Sequence, residues 1–139
     1  MPANEVFVDT TAFMALTNRA DNLHLGAMAL HREFAATNTP LVTGNWVLAE
    51  FLSAASRPPF RFNAIRIVAT LKSLLRMTSV DATHRDWDRA FEFFERHSDK
   101  AWSFVDCSSM LICQDRGIRR VFTYDHHFRQ FGLEVLLRR

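Results

Sequence analysis

Four acidic residues occupy positions from which their carboxylates could do chemistry. Asp9 and Asp125 each close a short β-rich run, and the carboxyl ends of parallel strands form the ligand crevice of an open sheet. Asp106 is the only charged residue between positions 101 and 113, where burial of a carboxylate is costly unless it is compensated. Glu50 lies at the side of the apolar stripe of another predicted helix. The four side chains could therefore converge on one crevice.

Each of these acids also has an ordinary structural explanation. Asp9 and Asp125 could cap the helices that follow them, because aspartate is a favoured N-cap residue. Asp106 could complete a capping box with Ser103, although such boxes prefer Glu or Gln. Glu50 could simply be exposed or half-exposed on its helix. At this level both explanations stay open for every acid.

If the four carboxylates do converge, they need a cation. Carboxylates at close range cannot all stay ionised, because their mutual repulsion raises their pKa values. A hard divalent ion such as Mg²⁺ or Mn²⁺ resolves the repulsion, since it prefers oxygen ligands. The chemistry indicated is metal-assisted attack of water on a phosphodiester.

The composition allows a phosphate-rich partner. The chain has 139 residues, of which 48% are hydrophobic and 23% charged, as is typical of a globular domain. Its net charge is only +2, yet Lys72 and Lys100 are the only lysines among its 17 basic residues. Arginine binds phosphate with a planar fork of donors, whereas a compositional bias of the genome would give the same count without a function.

The elements that must position these residues alternate between strands and helices. Short strands are predicted at 5–8, 41–43, 77–80, 121–123 and 135–137, and helices at 11–18, 22–37, 46–56, 62–75, 86–96 and 102–114. This alternation predicts one α/β domain over residues 1–139, with an open parallel sheet and helices on both faces. In the helix at 86–96, Trp87, Phe91 and Phe94 are predicted to form the buried stripe.

The acids stand within four short motifs that carry a family resemblance. The motifs are Phe7-Val8-Asp9-Thr10, Ala49-Glu50-Phe51, Ser103-Phe104-Val105-Asp106-Cys107 and Phe122-Thr123-Tyr124-Asp125-His126-His127-Phe128. Together they resemble the PIN-domain ribonucleases, in particular the VapC-type toxins of prokaryotic toxin–antitoxin pairs. The resemblance covers essentially the whole chain, and the third and fourth motifs are its most specific part.

The resemblance implies a fold and a site. The fold would be a three-layer α/β/α arrangement with a short central parallel sheet of four to five strands. In that family four acids surround one or two Mg²⁺ or Mn²⁺ ions that activate water for RNA cleavage. By resemblance Asp9 and Asp106 would be direct metal ligands, while Glu50 and Asp125 would complete the site, partly through water. Thr10 and Thr123 match hydroxyl positions that help to orient acids or substrate.

The family's sheet also decides which strand-end acids belong to the site. It places the first strand beside the fourth, which would bring Asp9 next to Asp125. Asp81 follows the third strand and would lie towards an edge, so it is left out of the predicted site.

The resemblance further implies partners. Such toxins cleave RNA, usually form homodimers, and are held inactive by a small antitoxin whose tail enters the active-site groove. The helices at 46–56 and 62–75 would form the groove walls, with Arg57, Arg61 and Arg66 available for RNA or an acidic tail. These arginines could equally lie on an ordinary solvated face.

Two other functions compete with a PIN ribonuclease. The triplet Asp125-His126-His127 suggests a different class of phosphoesterase, but the early histidines that such enzymes need have no metal-ligand spacing here, and His127 is expected to pack beside Phe128. A PIN-fold module that binds RNA or protein without turnover is the other alternative. It predicts the loss of site acids, and all four are present.

The chain is expected to be cytoplasmic. Its N-terminal residues lack a charged-then-apolar signal pattern, and its longest uncharged stretch is too short and too polar to span a bilayer. Cys107 and Cys113, six residues apart on one predicted helix, would lie about 9 Å apart, too far for a disulfide. Two free thiols suit a reducing compartment.

Overall fold

The structure is a computed structural model that describes residues 4–138. In chain order its elements are β1 (Val6–Val8), α1 (Thr10–Thr17), α2 (His24–Ala36), β2 (Leu41–Gly44), α3 (Asn45–Ala54), α4 (Phe60–Ser73), β3 (Met77–Val80), α5 (His84–Arg96), α6 (Phe104–Arg116), β4 (Arg120–Phe122), α7 (His127–Gln130) and β5 (Glu134–Val135). The alternation of strands and helices predicted above is confirmed.

A five-stranded, fully parallel sheet forms the centre of the molecule. Its strand order is β3-β2-β1-β4-β5, with Phe7 of β1 opposite Val42 of β2 and Val121 of β4. Every residue of β1 and β2 is buried, as is typical of parallel strands covered by helices on both faces. The three-layer α/β/α prediction is confirmed, and the upper strand count of five is the observed one.

Aromatic side chains connect the helices to each other and to the sheet. Phe13 of α1 stacks on Phe51 of α3 with ring centroids 5.3 Å apart, and both rings are buried. Phe34 of α2 meets Phe122 of β4 edge-on at 5.6 Å. The first contact holds α1 against α3, and the second holds α2 against the sheet.

The N-terminus of α6 begins two residues later than predicted. Ser103 is the N-cap, and it forms a reciprocal capping box with Asp106, so the helix proper starts at Phe104. Its C-terminus lies two residues later than predicted, at Arg116, where Gly117 caps the helix in a left-handed conformation with φ of 68°. The four-residue α7 was not predicted, since a single turn is too short to show an apolar periodicity.

The predicted buried stripe of α5 is wrong. Trp87, Phe91 and Phe94 are 50%, 52% and 42% exposed, whereas Ala90 and Phe93 are buried against the core. The apolar residues of this helix cover more than one face. Periodicity marks them all as apolar, but it cannot tell which ones meet the sheet.

Candidate active site

The carboxyl ends of β1 and β4 lie side by side, and each leads into one of the predicted acids. Val8 is in register with Phe122, and the backbone N–H of Asp9 donates to the carbonyl oxygen of Phe122 at 3.1 Å. Asp125 follows β4 by three residues. Asp81 is exposed and follows β3, the edge strand, which β2 separates from β1.

Asp9 is buried and its side chain faces another polar group rather than the helix backbone. The residue is only 3% exposed and occupies the N-cap position of α1, but its carboxylate makes no capping hydrogen bond. Its Oδ2 instead accepts a hydrogen bond from the hydroxyl of Thr123 at 2.9 Å. Capping therefore does not explain this carboxylate.

Burial raises the pKa of Asp9 to about 7, far above the usual 3.8 of an aspartate. The negative charges of Asp106 and Asp125 push the pKa further in the same direction, while the N–H of Thr10 and the Thr123 hydroxyl oppose the rise. Three carboxylates thus interact across the ends of β1, α6 and β4. A bound cation stabilises the ionised form of such a cluster of carboxylates.

Thr123 organises the hydrogen bonds beneath these acids. Because its single hydroxyl proton is donated to Asp9, its oxygen must accept the N–H of Asp125 at 3.0 Å and the hydroxyl of Thr11 at 2.8 Å. Thr11 in turn accepts the N–H of Tyr124 at 3.0 Å. The sequence singled out Thr10 and Thr123 but not Thr11, whose only signal is its place two residues after Asp9.

Asp106 is both a helix cap and a member of the acidic group. It is 7% exposed, its Oδ2 accepts the N–H of Ser103 at 3.0 Å, and its own N–H donates to the Ser103 hydroxyl oxygen at 3.0 Å. The capping alternative for Asp106 is therefore correct. The same Oδ2 lies 3.1 Å from Nδ1 of His127, so capping and membership of the site coexist.

His127 lies between two of the acids. Its Nδ1 is 3.2 Å from Oδ1 of Asp125 as well as 3.1 Å from Asp106, and its backbone N–H donates to Oδ1 of Asp125 at 2.9 Å. The expectation that His127 simply packs beside Phe128 is wrong, because Phe128 is fully buried while His127 is half-buried among carboxylates. The available signal was its position two residues after Asp125, where an Asx-type turn forms.

Glu50 joins the site from α3. It is exposed, as its position beside the apolar stripe indicated, and its Oε1 accepts the hydroxyl of Thr10 at 2.5 Å. Thr10 directly follows Asp9, so this hydrogen bond ties the fourth acid to the first turn of α1. The contact is possible because α3 packs against α1 through Phe51 and Phe13.

The donor set fits a hard divalent cation. The charges of Asp106 and Asp125 both act on Asp9, and the ligand atoms of all three are carboxylate oxygens, which Mg²⁺ and Mn²⁺ prefer. Among residues 4–138, the group of possible metal ligands whose atoms all lie within 4.8 Å of one another is Asp125, His126 and His127. The imidazoles of that group suit softer transition metals better than Mg²⁺.

The three predicted contact arginines lie at the α3–α4 junction and on α4. Arg57, Arg61 and Arg66 are all exposed, and Arg61 donates to the carbonyl oxygen of Ser56 at 3.4 Å. Their exposure is compatible with contacts to a phosphate backbone or an acidic peptide, and equally with a solvated face.

The two cysteines are buried free thiols on α6. Burial, reinforced by the charge of Asp106, raises the pKa of Cys107 to about 11, and burial raises the pKa of Cys113 as well. A thiol with a raised pKa is a poor nucleophile at neutral pH. The site therefore does not use a cysteine nucleophile.

Within residues 4–138, every helix is too short or too polar to cross a bilayer.

Known proteins are similar to this chain in sequence and in fold. One relative is the 23S rRNA-specific endonuclease VapC20 of Mycobacterium tuberculosis, found in strains CDC 1551 / Oshkosh and H37Rv. It is 30% identical to this chain over 128 residues, and the alignment covers 91% of this chain and 94% of the relative. The crystal structure of Mycobacterium tuberculosis VapC20, described as a Sarcin-Ricin loop cleaving toxin, superposes with a TM-score of 0.81 at 25% identity, covering 96% of this chain and 99% of that one.

The family model for the PIN domain matches residues 6–133, a span that contains all four acids. This match sets aside the alternative phosphoesterase class built on the Asp125-His126-His127 triplet, and it confirms the family resemblance of the four motifs. The chain belongs to the PIN-domain family.

Proposed function

We propose that this chain is a divalent-metal-dependent endoribonuclease that acts as the toxin of a toxin–antitoxin pair. The observation that carries the proposal is the meeting of Asp9, Asp106 and Asp125 at the carboxyl end of a PIN-family sheet, with Glu50 tied in through Thr10. The similarity to VapC20, a 23S rRNA-specific endonuclease, supports the choice of RNA as substrate.

In this proposal the four acids bind Mg²⁺ or Mn²⁺ in two different ways. Asp9 and Asp106 are the direct ligands, and Glu50 and Asp125 contribute partly through water. The bound ion supplies an activated water and offsets negative charge at the scissile phosphate. Thr123 keeps the Asp9 carboxylate oriented through the hydrogen bond to Oδ2.

The proposed partners contact an exposed surface of the molecule. RNA or the acidic tail of a small antitoxin contacts Arg57, Arg61 and Arg66, whose guanidinium groups are exposed on the α3–α4 side of the molecule. Buried free thiols at Cys107 and Cys113 fit a cytoplasmic location. The nuclease domain is proposed to comprise the whole chain, 1–139.

We also propose a homodimer that uses the exposed aromatic stripe of α5. Trp87, Phe91 and Phe94 recur at helical spacing and stay about half exposed, although Trp87 and Phe94 also contact Phe104. Exposed apolar stripes of this kind mark protein interfaces. Two antiparallel copies of α5 would bring Arg85 near the N-terminus of one helix towards Glu95 near the C-terminus of the other. Both charges are exposed and opposite in sign.

A cleavage assay tests the nuclease. A 23S rRNA fragment that contains the sarcin–ricin loop is incubated with the wild-type chain, with Asp9→Asn and with Asp106→Asn, each with Mg²⁺, with Mn²⁺ and with EDTA. We expect cleavage only by the wild-type protein with a divalent ion. Cleavage that persists in EDTA and in both variants would contradict the proposal, and binding without cleavage under any condition would favour the non-catalytic PIN-fold module.

Expression in a bacterial host tests the toxin. Production of the wild-type chain is expected to arrest growth, and co-expression of a small protein encoded next to it is expected to relieve the arrest. The Asp9→Asn variant, made at the same level, is the control and should leave growth unaffected. Normal growth with an active nuclease would remove the toxin role and keep the ribonuclease.

A further inference from the structure

We propose that His127 is a positioning residue of the active site, which holds the carboxylates of Asp106 and Asp125 together by donating its ring N–H to the first and its backbone N–H to the second. The inference rests on the proposed metal site and assigns to it a residue to which the family resemblance gave no role.

The geometry around Nδ1 is specific. Asp106 Oδ2 lies 3.1 Å away and Asp125 Oδ1 lies 3.2 Å away. Because a carboxylate oxygen accepts hydrogen bonds and does not donate them, Nδ1 must carry the hydrogen. The ring N–H is donated to Asp106 on α6 and also lies close to Asp125 in the loop after β4, which accepts the backbone N–H of His127.

The remaining contacts fix the ring in place. The backbone N–H of His127 donates to Oδ1 of Asp125 at 2.9 Å, and the next residue, Phe128, is completely buried in the core. The side chain of His127 is only 21% exposed. The imidazole thus has few alternative positions, which is the condition for a residue that orients others.

These hydrogen bonds also leave one oxygen atom of each carboxylate available to a metal ion. Asp106 uses Oδ2 for both Ser103 and His127, and Asp125 uses Oδ1 for His127. Oδ1 of Asp106 and Oδ2 of Asp125 do not take part in these contacts. Groups that hydrogen-bond to a ligating carboxylate in this way orient it and raise its effective affinity for a metal.

Titration of the metal-free, full-length protein with Mn²⁺, followed by electron paramagnetic resonance, tests the assignment without measuring cleavage. We expect His127→Ala to weaken Mn²⁺ binding by about 10- to 100-fold, the range found when such outer groups are removed. His127→Asn places an amide N–H where Nδ1 stands and should stay within about three-fold of wild type. His127→Gln places its N–H at the position of Nε2 and should bind as weakly as the alanine variant.

Matched controls separate positioning from folding and from direct ligation. His84→Ala removes a histidine on α5 whose side chain is 93% exposed, and it should not change Mn²⁺ affinity. Circular dichroism of each variant checks the fold, and the comparison of the two amides holds even if the alanine variant unfolds. Pulsed electron paramagnetic resonance spectra of bound Mn²⁺ are expected to show the same coupling to nitrogen nuclei in the wild type and in His127→Asn, because His127 does not ligate the metal in this proposal.

Three results would overturn the assignment. Unchanged Mn²⁺ affinity in His127→Ala would exclude His127 alone and leave the proposed function intact. An imidazole nitrogen coupling that is lost in His127→Asn would make the residue a metal ligand instead of a positioning residue. Absence of Mn²⁺ binding by the wild-type protein would overturn the metal-dependent function and, with it, this inference.

Discussion

The carboxyl group of Asp9 shows how burial sets the chemistry of a single residue. Its pKa is raised to about 7 by burial and by the nearby charges of Asp106 and Asp125. Without a cation, the folded protein therefore binds a proton at Asp9 more tightly than the unfolded chain does. Linkage then requires that the contribution of Asp9 favour folding at low pH and be lost as the pH rises from about 4 through about 7.

Asp9→Asn tests this linkage in the metal-free protein. Asparagine cannot ionise, so the variant should gain stability relative to wild type as the pH rises, by up to about 4 kcal/mol near pH 8 and by little near pH 4. Urea unfolding at several pH values in EDTA measures the difference. A difference in free energy of unfolding that does not change with pH would contradict the raised pKa of Asp9.

A second prediction for a single residue concerns the hydroxyl group of Thr123. Thr123→Val keeps the shape but removes the donor to Asp9 and the acceptor for the Asp125 N–H and the Thr11 hydroxyl. Leaving such buried groups unpaired costs about 1–3 kcal/mol each, so we expect a clear loss of stability and of RNA cleavage. Thr123→Ser, which keeps the hydroxyl, should restore most of both. Equal behaviour of the two variants would exclude the hydroxyl network as the cause.

At the scale of the elements, one capping box serves two purposes and another serves only one. The box at the start of α6 pairs Ser103 with Asp106, and the box at the start of α5 pairs Thr83 with Asp86. Both stabilise a helix N-terminus. Only the first places its acidic member beside His127 and the strand-end acids.

The two boxes offer a matched pair of substitutions. Ser103→Ala and Thr83→Ala should each lower the free energy of unfolding by about 1 kcal/mol, the usual cost of a lost N-cap. Only Ser103→Ala should also weaken Mn²⁺ binding and RNA cleavage, because the backbone N–H of Asp106 loses its acceptor and the first turn that carries this acid is loosened. Thermal unfolding and the metal titration measure the two effects. A parallel loss of Mn²⁺ affinity in Thr83→Ala would show that stability alone controls the site.

At the scale of the whole molecule, the exposed stripe of α5 determines how copies could associate. Phe91→Glu places a charge in the middle of the stripe, where Phe91 is 52% exposed, and should shift a dimer to monomer in sedimentation equilibrium. Leu25→Glu is the control, because Leu25 is 82% exposed on α2, away from this stripe. A wild-type protein that sediments as a monomer at all concentrations, or a Phe91→Glu variant that remains a dimer, would exclude this interface.

Much of the fold was predictable because it depends on local signals. Val6–Val8 and the strand at Leu41 are short apolar runs next to turn and cap residues, and these runs became the buried central strands. The predicted neighbourhood of Asp9 and Asp125 came from the family's strand order, and the pairing of β1 with β4 agrees with it. The roles of the four acids in binding metal stay predictions.

The sequence by itself determined the element types, the parallel sheet and the candidates for the acidic group, because periodicity, capping residues and strand-end positions are local properties. The tertiary structure alone decided that His127 and Thr11 join the acids, since their partners lie on other elements. It also decided that Trp87, Phe91 and Phe94 stay about half exposed. An apolar pattern indicates which side chains avoid water, whereas only the packed arrangement of helices on the sheet decides how much of each side chain is covered.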